Sequence, residues 1–242
     1  MTDTKKIRIG EAAKILNVSI QTLRNWEKSG KLQSQRSSGG QRYYLLNDIK
    51  RFAVDLQKLS LAWAANAQAP YISDEYYCER QDRFNSRLEK MGIILAGSNI
   101  VDEDIASLLT AVAGEIGDNS FMHNVGNWPD VPGIFFAFDI NRRIIVLADR
   151  GQGIRKTLLR ARPSIETDVE ALHIAFTEIV SGREPEKRGN GLKVVRRIVE
   201  SNPIGLSLRS GIAIAESPKQ AAPLKIKATQ NNIRGVCAVI TF

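Results

Sequence analysis

Glu115-Ile-Gly-Asp-Asn119, Asp149-Arg-Gly151-Gln-Gly153 and Lys187-Arg-Gly189-Asn-Gly191-Leu192 follow one another in this 242-residue chain, and each carries residue types able to handle a nucleotide. Glu115 and Asn119 stand four apart, so on a helix both leave the same face, and His123 continues that face one turn on. The Asn119 amide oxygen can ligate Mg²⁺, the Glu115 carboxylate can orient or deprotonate a nucleophile, and His123 can touch a phosphate oxygen. Asp149 sits where a strand meets a glycine turn. A carboxylate there can accept a hydrogen bond from an adenine amino group, while Gly151 and Gly153 let backbone approach the base. Lys187 and Arg188 precede Gly189 and Gly191, and a glycine turn opening a helix offers N–H groups and a favourable dipole to phosphates. Singly the motifs are weak: Asp-x-Gly-x-Gly is usually only a turn, and a helix bearing Glu and Asn is often only a solvated face. In this order they form the equipment of a Mg-nucleotide pocket.

The elements that must position these residues can be read from the apolar spacing. Residues 105–124 predict a long amphipathic helix with Ile105, Leu108, Leu109, Val112 and Ile116 inward. Strands are expected over 134–140 and 143–148, joined by a tight Asn141-Arg142 turn. Residues 154–188 are expected to form a basic lid with one helix, 169–180, in which His173 packs or faces solvent. A helix over 192–199 and strands around 205–214, 224–228 and 235–242 would complete a mixed sheet.

Charge separates a second functional region from the first. Residues 1–52 hold 11 Lys+Arg against 4 Asp+Glu, so nearly all of the net +8 belongs to the first fifth of the chain. That concentration suits a segment that meets a polyanion. Ile9, Ala12, Ala13, Leu16 and Val18 predict a short helix with one apolar face, ending in the turn Asn17-Val18-Ser19. Ser19 is a good N-cap for a second helix, 20–29, which stops at Gly30. Two short helices joined by such a turn are the helix-turn-helix geometry, whose second helix enters the major groove. Its exposed side would carry Gln21, Thr22, Arg24, Asn25 and Lys28. Arg and Gln suit base edges, and Thr and Lys suit phosphate. The stretch from Ser37 to Tyr44 predicts a glycine hairpin and a wing, reaching the flanking backbone with Arg36 and Arg42. At least one of Tyr43 and Tyr44, and most of Trp26, are expected to pack the small core.

Between the two regions, Leu45, Ile49, Phe52, Leu56, Leu59 and Trp63 follow a heptad-like 4-3 spacing, too short for a coiled coil by itself. Ile49 and Phe52 are expected to finish the head, and Leu56, Leu59 and Trp63 are the candidates for pairing two copies. The alanine-rich stretch 62–70 ends at Pro70 and suggests a boundary; 71–90 is charged, helical-looking and without chemical signature, with Tyr77, Phe84 and Leu88 as an apolar edge. Two cysteines, Cys78 and Cys237, make neither a disulfide framework nor a metal-ligand spacing. The first residues lack a signal-peptide core and no apolar run approaches the ~20 residues of a bilayer span, so a soluble, cytoplasmic protein in a reducing compartment is expected.

Ile9-Gly-Glu-Ala-Ala-Lys-Ile-Leu-Asn-Val-Ser, Thr22-Leu-Arg-Asn-Trp-Glu and Gly39-Gly-Gln-Arg-Tyr-Tyr resemble, in order, the MerR-type winged helix-turn-helix, and more its excisionase-like branch than its metal sensors. The three later motifs, over residues 88–242, resemble the boxes of the GHKL superfamily of ATPases, the Bergerat fold of gyrase, MutL and the histidine and anti-sigma kinases. The combined expectation is an α+β chain: a winged helix-turn-helix domain over 1–52, a helical connector over 53–87 with a dimerising role, and an α/β-sandwich ATP-binding domain over 88–242. By that likeness Asn119 is the Mg²⁺ ligand, Asp149 the adenine contact and Glu115 the general base, while Gly151, Gly153, Gly189 and Gly191 shape the pocket. Two departures stand out. Gly235-Val236 replaces the Gly-Thr of many relatives, removing a hydroxyl from the adenine side. The chain also ends where gyrase and MutL relatives add a transducer bearing a catalytic lysine, so efficient autonomous hydrolysis is not expected.

Three functions fit these features. One is a DNA-binding homodimeric regulator of transcription, in which Mg-ATP, slowly hydrolysed, modulates DNA affinity. The second is an anti-sigma-like serine/threonine kinase acting on a STAS-type partner. The third is a non-catalytic DNA-binding protein with a degenerate ATPase fold. A two-component histidine kinase is disfavoured, since neither His123 nor His173 sits in a phosphoacceptor helix signature.

Overall fold

The computed structural model describes residues 5–178 and 191–242 and divides into two compact units, Met1–Leu56 and Gln57–Phe242. In the first unit, β1 (Lys6–Arg8), β2 (Gln35–Arg36) and β3 (Arg42–Leu45) form an antiparallel sheet with β3 in the centre. Helices α1 (Ile9–Ile15), α2 (Ile20–Lys28) and α3 (Leu46–Ala53) pack on it. The core is Ile7, Ala12, Ala13, Leu23, Leu32, Tyr44, Ile49 and Phe52, with Leu16, Val18 and Trp26 against it. The indole of Trp26 lies 5.2 Å from the Phe52 ring, centroid to centroid, and Tyr44 is buried, as the sequence leads one to expect.

The second unit is built on a five-stranded sheet in the order β4-β5-β6-β8-β7. Its strands are β4 (Tyr77–Cys78), β5 (Ile134–Asp139), β6 (Ile144–Asp149), β7 (Gly205–Ser217) and β8 (Lys225–Thr241). Every pairing among the described residues is antiparallel, which corrects the expectation of a mixed sheet. β7 runs parallel in direction to β6, but the β7–β8 hairpin folds back so that β8 enters between them and no parallel ladder forms. The strands expected over 224–228 and 235–242 are one long, bulged β8.

One sheet face is covered by α5 (Gln81–Ala96), α6 (Glu103–Asn124), α8 (Asp168–Thr177) and α9 (Gly191–Ser201), around Phe84, Leu109, Ile116, Phe136, Leu147, Leu172 and Ala238. The alternate residues Phe135, Val146, Ala148 and Cys237 belong to the opposite face and are buried as well. That explains why β5 and β6 read as continuous apolar runs. Cover on this side comes from α4 (Leu56–Ala65) and the segment after it: Ser60 Oγ lies 3.7 Å from Cys237 Sγ, and the Tyr76 ring lies 5.5 Å from that of Phe135.

Two consequences follow for the expected organisation. Trp63 is enclosed within its own chain at 1% exposure, so it is not available to pair two copies. Its burial follows from the second sheet face, which needs an apolar cover. Residue 88 falls inside α5, which starts at Gln81, so the expected boundary would cut a helix whose fully buried Phe84 packs on Gly117 of α6.

Candidate functional site

In the head, Ser19 Oγ accepts from the Thr22 N–H at 3.0 Å and shares a 2.8 Å hydrogen bond with Thr22 Oγ1, starting α2 as expected of an N-cap. Gln21, Arg24, Asn25 and Lys28 are exposed on α2, and Thr22 is half-buried. Gln21 Nε2 donates to Asn25 Oδ1 at 3.1 Å, so these two amides present one joint surface. Arg36 is exposed on the wing. Arg42, expected to reach phosphate alongside it, pairs through Nε with Glu27 Oε2 at 2.6 Å. Ser34 Oγ also donates to Glu27, at 2.5 Å. The Ser34 and Arg42 hydrogen bonds, with the charges of Arg42 and Arg36, outweigh burial and hold the Glu27 carboxyl below its ordinary range. Glu27 thus ties the end of α2 to the wing, and Arg42 acts as a strut.

In the second unit, α6 is N-capped by Asp102, whose side chain accepts from the Ile105 N–H at 2.8 Å, with Glu103 and Asp104 favouring the positive helix end. Leu109, Val112 and Ile116 face inward, and Ile105 and Leu108 are partly buried at the margin. Glu115 lies exposed and Asn119 half-buried on another stripe of the same helix. Gly191, the first residue of α9, closes on both: a Cβ there would collide with Glu115 Oε2 and lie 3.3 Å from Asn119 Nδ2. The first motif and the end of the third therefore meet, although 72 or more residues separate them. Lys187, Arg188 and Gly189 lie outside the described residues.

Asp149 ends β6 and is fully buried, 1% exposed. Ser120 Oγ donates to its Oδ2 at 2.7 Å and the Gly151 N–H to its Oδ1 at 2.8 Å, and the Val236 backbone N–H donates as well. Burial dominates these donors and pushes the carboxyl up to about 6. Val236, expected to leave the site short of a hydroxyl, contributes its backbone instead, and Ser120 supplies the hydroxyl at Asp149. Gly235 has φ of +61°, and a Cβ on it would strike Asp149 Oδ1, so both its conformation and its space require glycine.

Other contacts surround the glycine turn. Asn124 Oδ1 accepts from the Gln152 N–H at 2.8 Å, Asn124 Nδ2 donates to the Ser120 carbonyl at 2.7 Å, and Gln152 Nε2 donates to the His123 carbonyl at 3.1 Å. Ser210 Oγ accepts from Ile154 N–H at 2.9 Å and donates to the Gly235 carbonyl at 3.0 Å, pinning the Gly153 turn to β8. Sequence reasoning missed Ser120, Asn124, Arg150, Asp130 and Ser210. Ser120 and Asn124 were detectable, because they continue the inward stripe from Ile116 at a spacing of four and so are polar residues on an apolar face.

The described part of the expected lid, 154–178, is not a cover. It forms two helices, α7 (Ile154–Leu158) and α8, and Leu172 and Phe176 of α8 enter the main core. Asp168 Oδ2 accepts from the Ile212 N–H at 2.9 Å, fixing the start of α8 to β7. A run of basic residues suggested an open cover, but Leu172, Ile174 and Phe176 are too apolar to leave the core. His173 is exposed.

Residues 8–44 match the family described as MerR family regulatory protein, which supports a DNA-binding head and a DNA-binding regulator. No curated protein matches the chain. Among the described residues no helix is long and apolar enough to cross a membrane.

Proposed function

We propose that this chain is a DNA-binding regulator whose second unit binds Mg-ATP and whose DNA affinity or dimer state changes with that binding. The observation that carries the reading is the environment of Asp149. A fully buried carboxylate accepts three hydrogen bonds from described residues, at the end of a strand and against two glycines. An ionised carboxylate has roughly four acceptor positions, so one remains for an amino group such as that of adenine. Asn119 and Glu115, gathered beside the glycine that opens α9, supply an amide oxygen suited to Mg²⁺ and a candidate general base. Mg²⁺, when bound, neutralises phosphate charge. Gly151 and Gly153 shape the base side, and Gly191 opens α9 beside the phosphate side. His123 is a candidate phosphate contact, as are Lys187, Arg188 and Gly189.

On the DNA side, Gln21, Arg24 and Asn25 are the candidates for base edges, and Thr22, Lys28 and Arg36 for phosphate, with Arg42 holding the wing. The test is fluorescence anisotropy of the full chain on fragments of its own genome, with and without Mg-ATP. A several-fold shift in DNA affinity is expected, corresponding to a coupling of about 1–3 kcal/mol. Asp149→Asn should weaken ATP binding by about 1.5–3 kcal/mol and abolish the shift. Unchanged DNA affinity in the presence of bound ATP sinks the regulator reading, and absence of ATP binding favours the degenerate fold.

A serine/threonine kinase acting on a STAS-type partner is the second reading. It is favoured by the exposure of Glu115, whose carboxylate is accessible to an incoming hydroxyl. Transfer of γ-phosphate label to a partner hydroxyl supports it, and release of inorganic phosphate alone counts against it.

A further inference from the structure

Arg150 stands between Asp149 and Gly151, and its side chain is fully buried. A buried guanidinium needs its donors satisfied, and three groups do so. Nε and Nη2 donate to Asp130 Oδ2 at 2.9 and 2.6 Å, Nη1 donates to the Trp63 carbonyl, and Nη2 donates to the Ala67 carbonyl at 3.2 Å. Trp63 lies in the last turn of α4, where carbonyls have no partner within the helix, and Ala67 lies two residues beyond its end. The nucleotide loop therefore caps α4 from outside, with a cation at the negative end of the helix dipole.

The cap is also stiffly joined to the pocket. Arg150 follows Asp149 in the chain, and the next N–H, that of Gly151, donates to the Asp149 carboxylate. A shift of residues 149–151 toward a base would carry the guanidinium with it, and the guanidinium would carry the two carbonyls. Elsewhere α4 is held by apolar packing, with Trp63 buried and its ring 6.4 Å from that of Tyr77, and by the 3.7 Å contact of Ser60 with Cys237, so the Arg150 guanidinium supplies the charged hydrogen bonds at its C-terminal end. We propose that Arg150 is a positioning residue that couples occupancy of the Asp149 pocket to the seating of α4, the first element after the winged head in the chain. This rests on the nucleotide reading above.

Hydrogen–deuterium exchange of the full chain, with and without Mg-ATP, tests it on wild type and Arg150→Lys. Lysine keeps the charge and loses the planar fork. In wild type, nucleotide should slow exchange both in residues 115–124 and in 58–67, the latter roughly fivefold or more. In Arg150→Lys the protection of 115–124 should persist while that of 58–67 is lost. A merely structural weakening would raise exchange in 58–67 equally in both states and leave the nucleotide-dependent difference intact, which would overturn the proposal. Absence of protection at 115–124 in wild type would instead overturn the nucleotide reading, and this inference with it. Should Arg150→Lys fail to fold, Asp130→Asn keeps the volume while loosening the guanidinium. It should show the same selective loss, and full protection of 58–67 in that variant overturns the coupling.

Discussion

At Asp149, burial and hydrogen bonding act in opposite directions on one carboxyl, and burial wins, raising it from 3.8 to about 6. The folded chain therefore holds this proton more tightly than the unfolded chain. The stability it contributes is fully present below about pH 4 and is lost as pH rises through about 6, a difference on the order of 3 kcal/mol. Asp149→Asn removes the titration. The unfolding free energy of wild type minus that of the variant should fall by that amount between pH 4 and 7 in paired denaturant titrations. A difference that stays flat across this range would contradict the burial argument. On the DNA side, Arg36 is exposed and Arg42 is tied to Glu27, so the two arginines of the wing should behave differently. Arg36→Ala should lower the salt slope of DNA binding by about 1, as expected for one lost phosphate contact. Arg42→Ala should act mainly by loosening the wing. Anisotropy titrations at several salt concentrations separate the two.

At the scale of elements, α2 depends on its first residue. Ser19 Oγ satisfies one otherwise unpaired N–H and orders the Thr22 hydroxyl. Ser19→Ala should destabilise the head by about 1 kcal/mol, and Ser19→Asp should restore it, as read by denaturant unfolding followed through Trp26 fluorescence. Equal stability of all three would show that tertiary packing, not the cap, holds α2. In the second unit, α5 and α6 approach closely because Gly117 has no side chain where the Phe84 ring lies. The glycine inside the first motif thus has a packing reason of its own, separate from the chemistry of its neighbours Glu115 and Asn119. The bulge of β8 near Gly211 lies beside Gly235, where the ladder shifts register. Bulges of this kind re-aim backbone next to sites, and here the Val236 N–H points to Asp149.

At the scale of the whole molecule, the charge asymmetry fits a chain with one polyanion-binding unit and one near-neutral unit, residues 53–242 holding 23 of the 34 basic and 22 of the 26 acidic residues. The segment 57–78 belongs to the second unit, as the other cover of its sheet, and not to a free connector. α4 therefore follows the head directly in the chain and lies almost entirely in the second unit, the property that the proposed ATP-controlled regulator requires. The exchange and anisotropy experiments above test whether it is used.

The sequence by itself determined the helix-turn-helix, the cap at Ser19, the long α6 and the β5–β6 hairpin. These depend on local spacing, capping and turn chemistry, which neighbours in the chain decide. It also marked Glu115, Asn119 and Asp149 by residue type. Only the tertiary structure decided that β8 enters between β6 and β7, that 154–178 belongs to the body of the fold, and that Trp63 is buried at home. It alone brought Ser120 to Asp149, Ser210 to the Gly153 turn and Asp130 to Arg150. Those outcomes depend on which apolar faces find each other and which buried polar groups find partners, and residues far apart in the chain settle both.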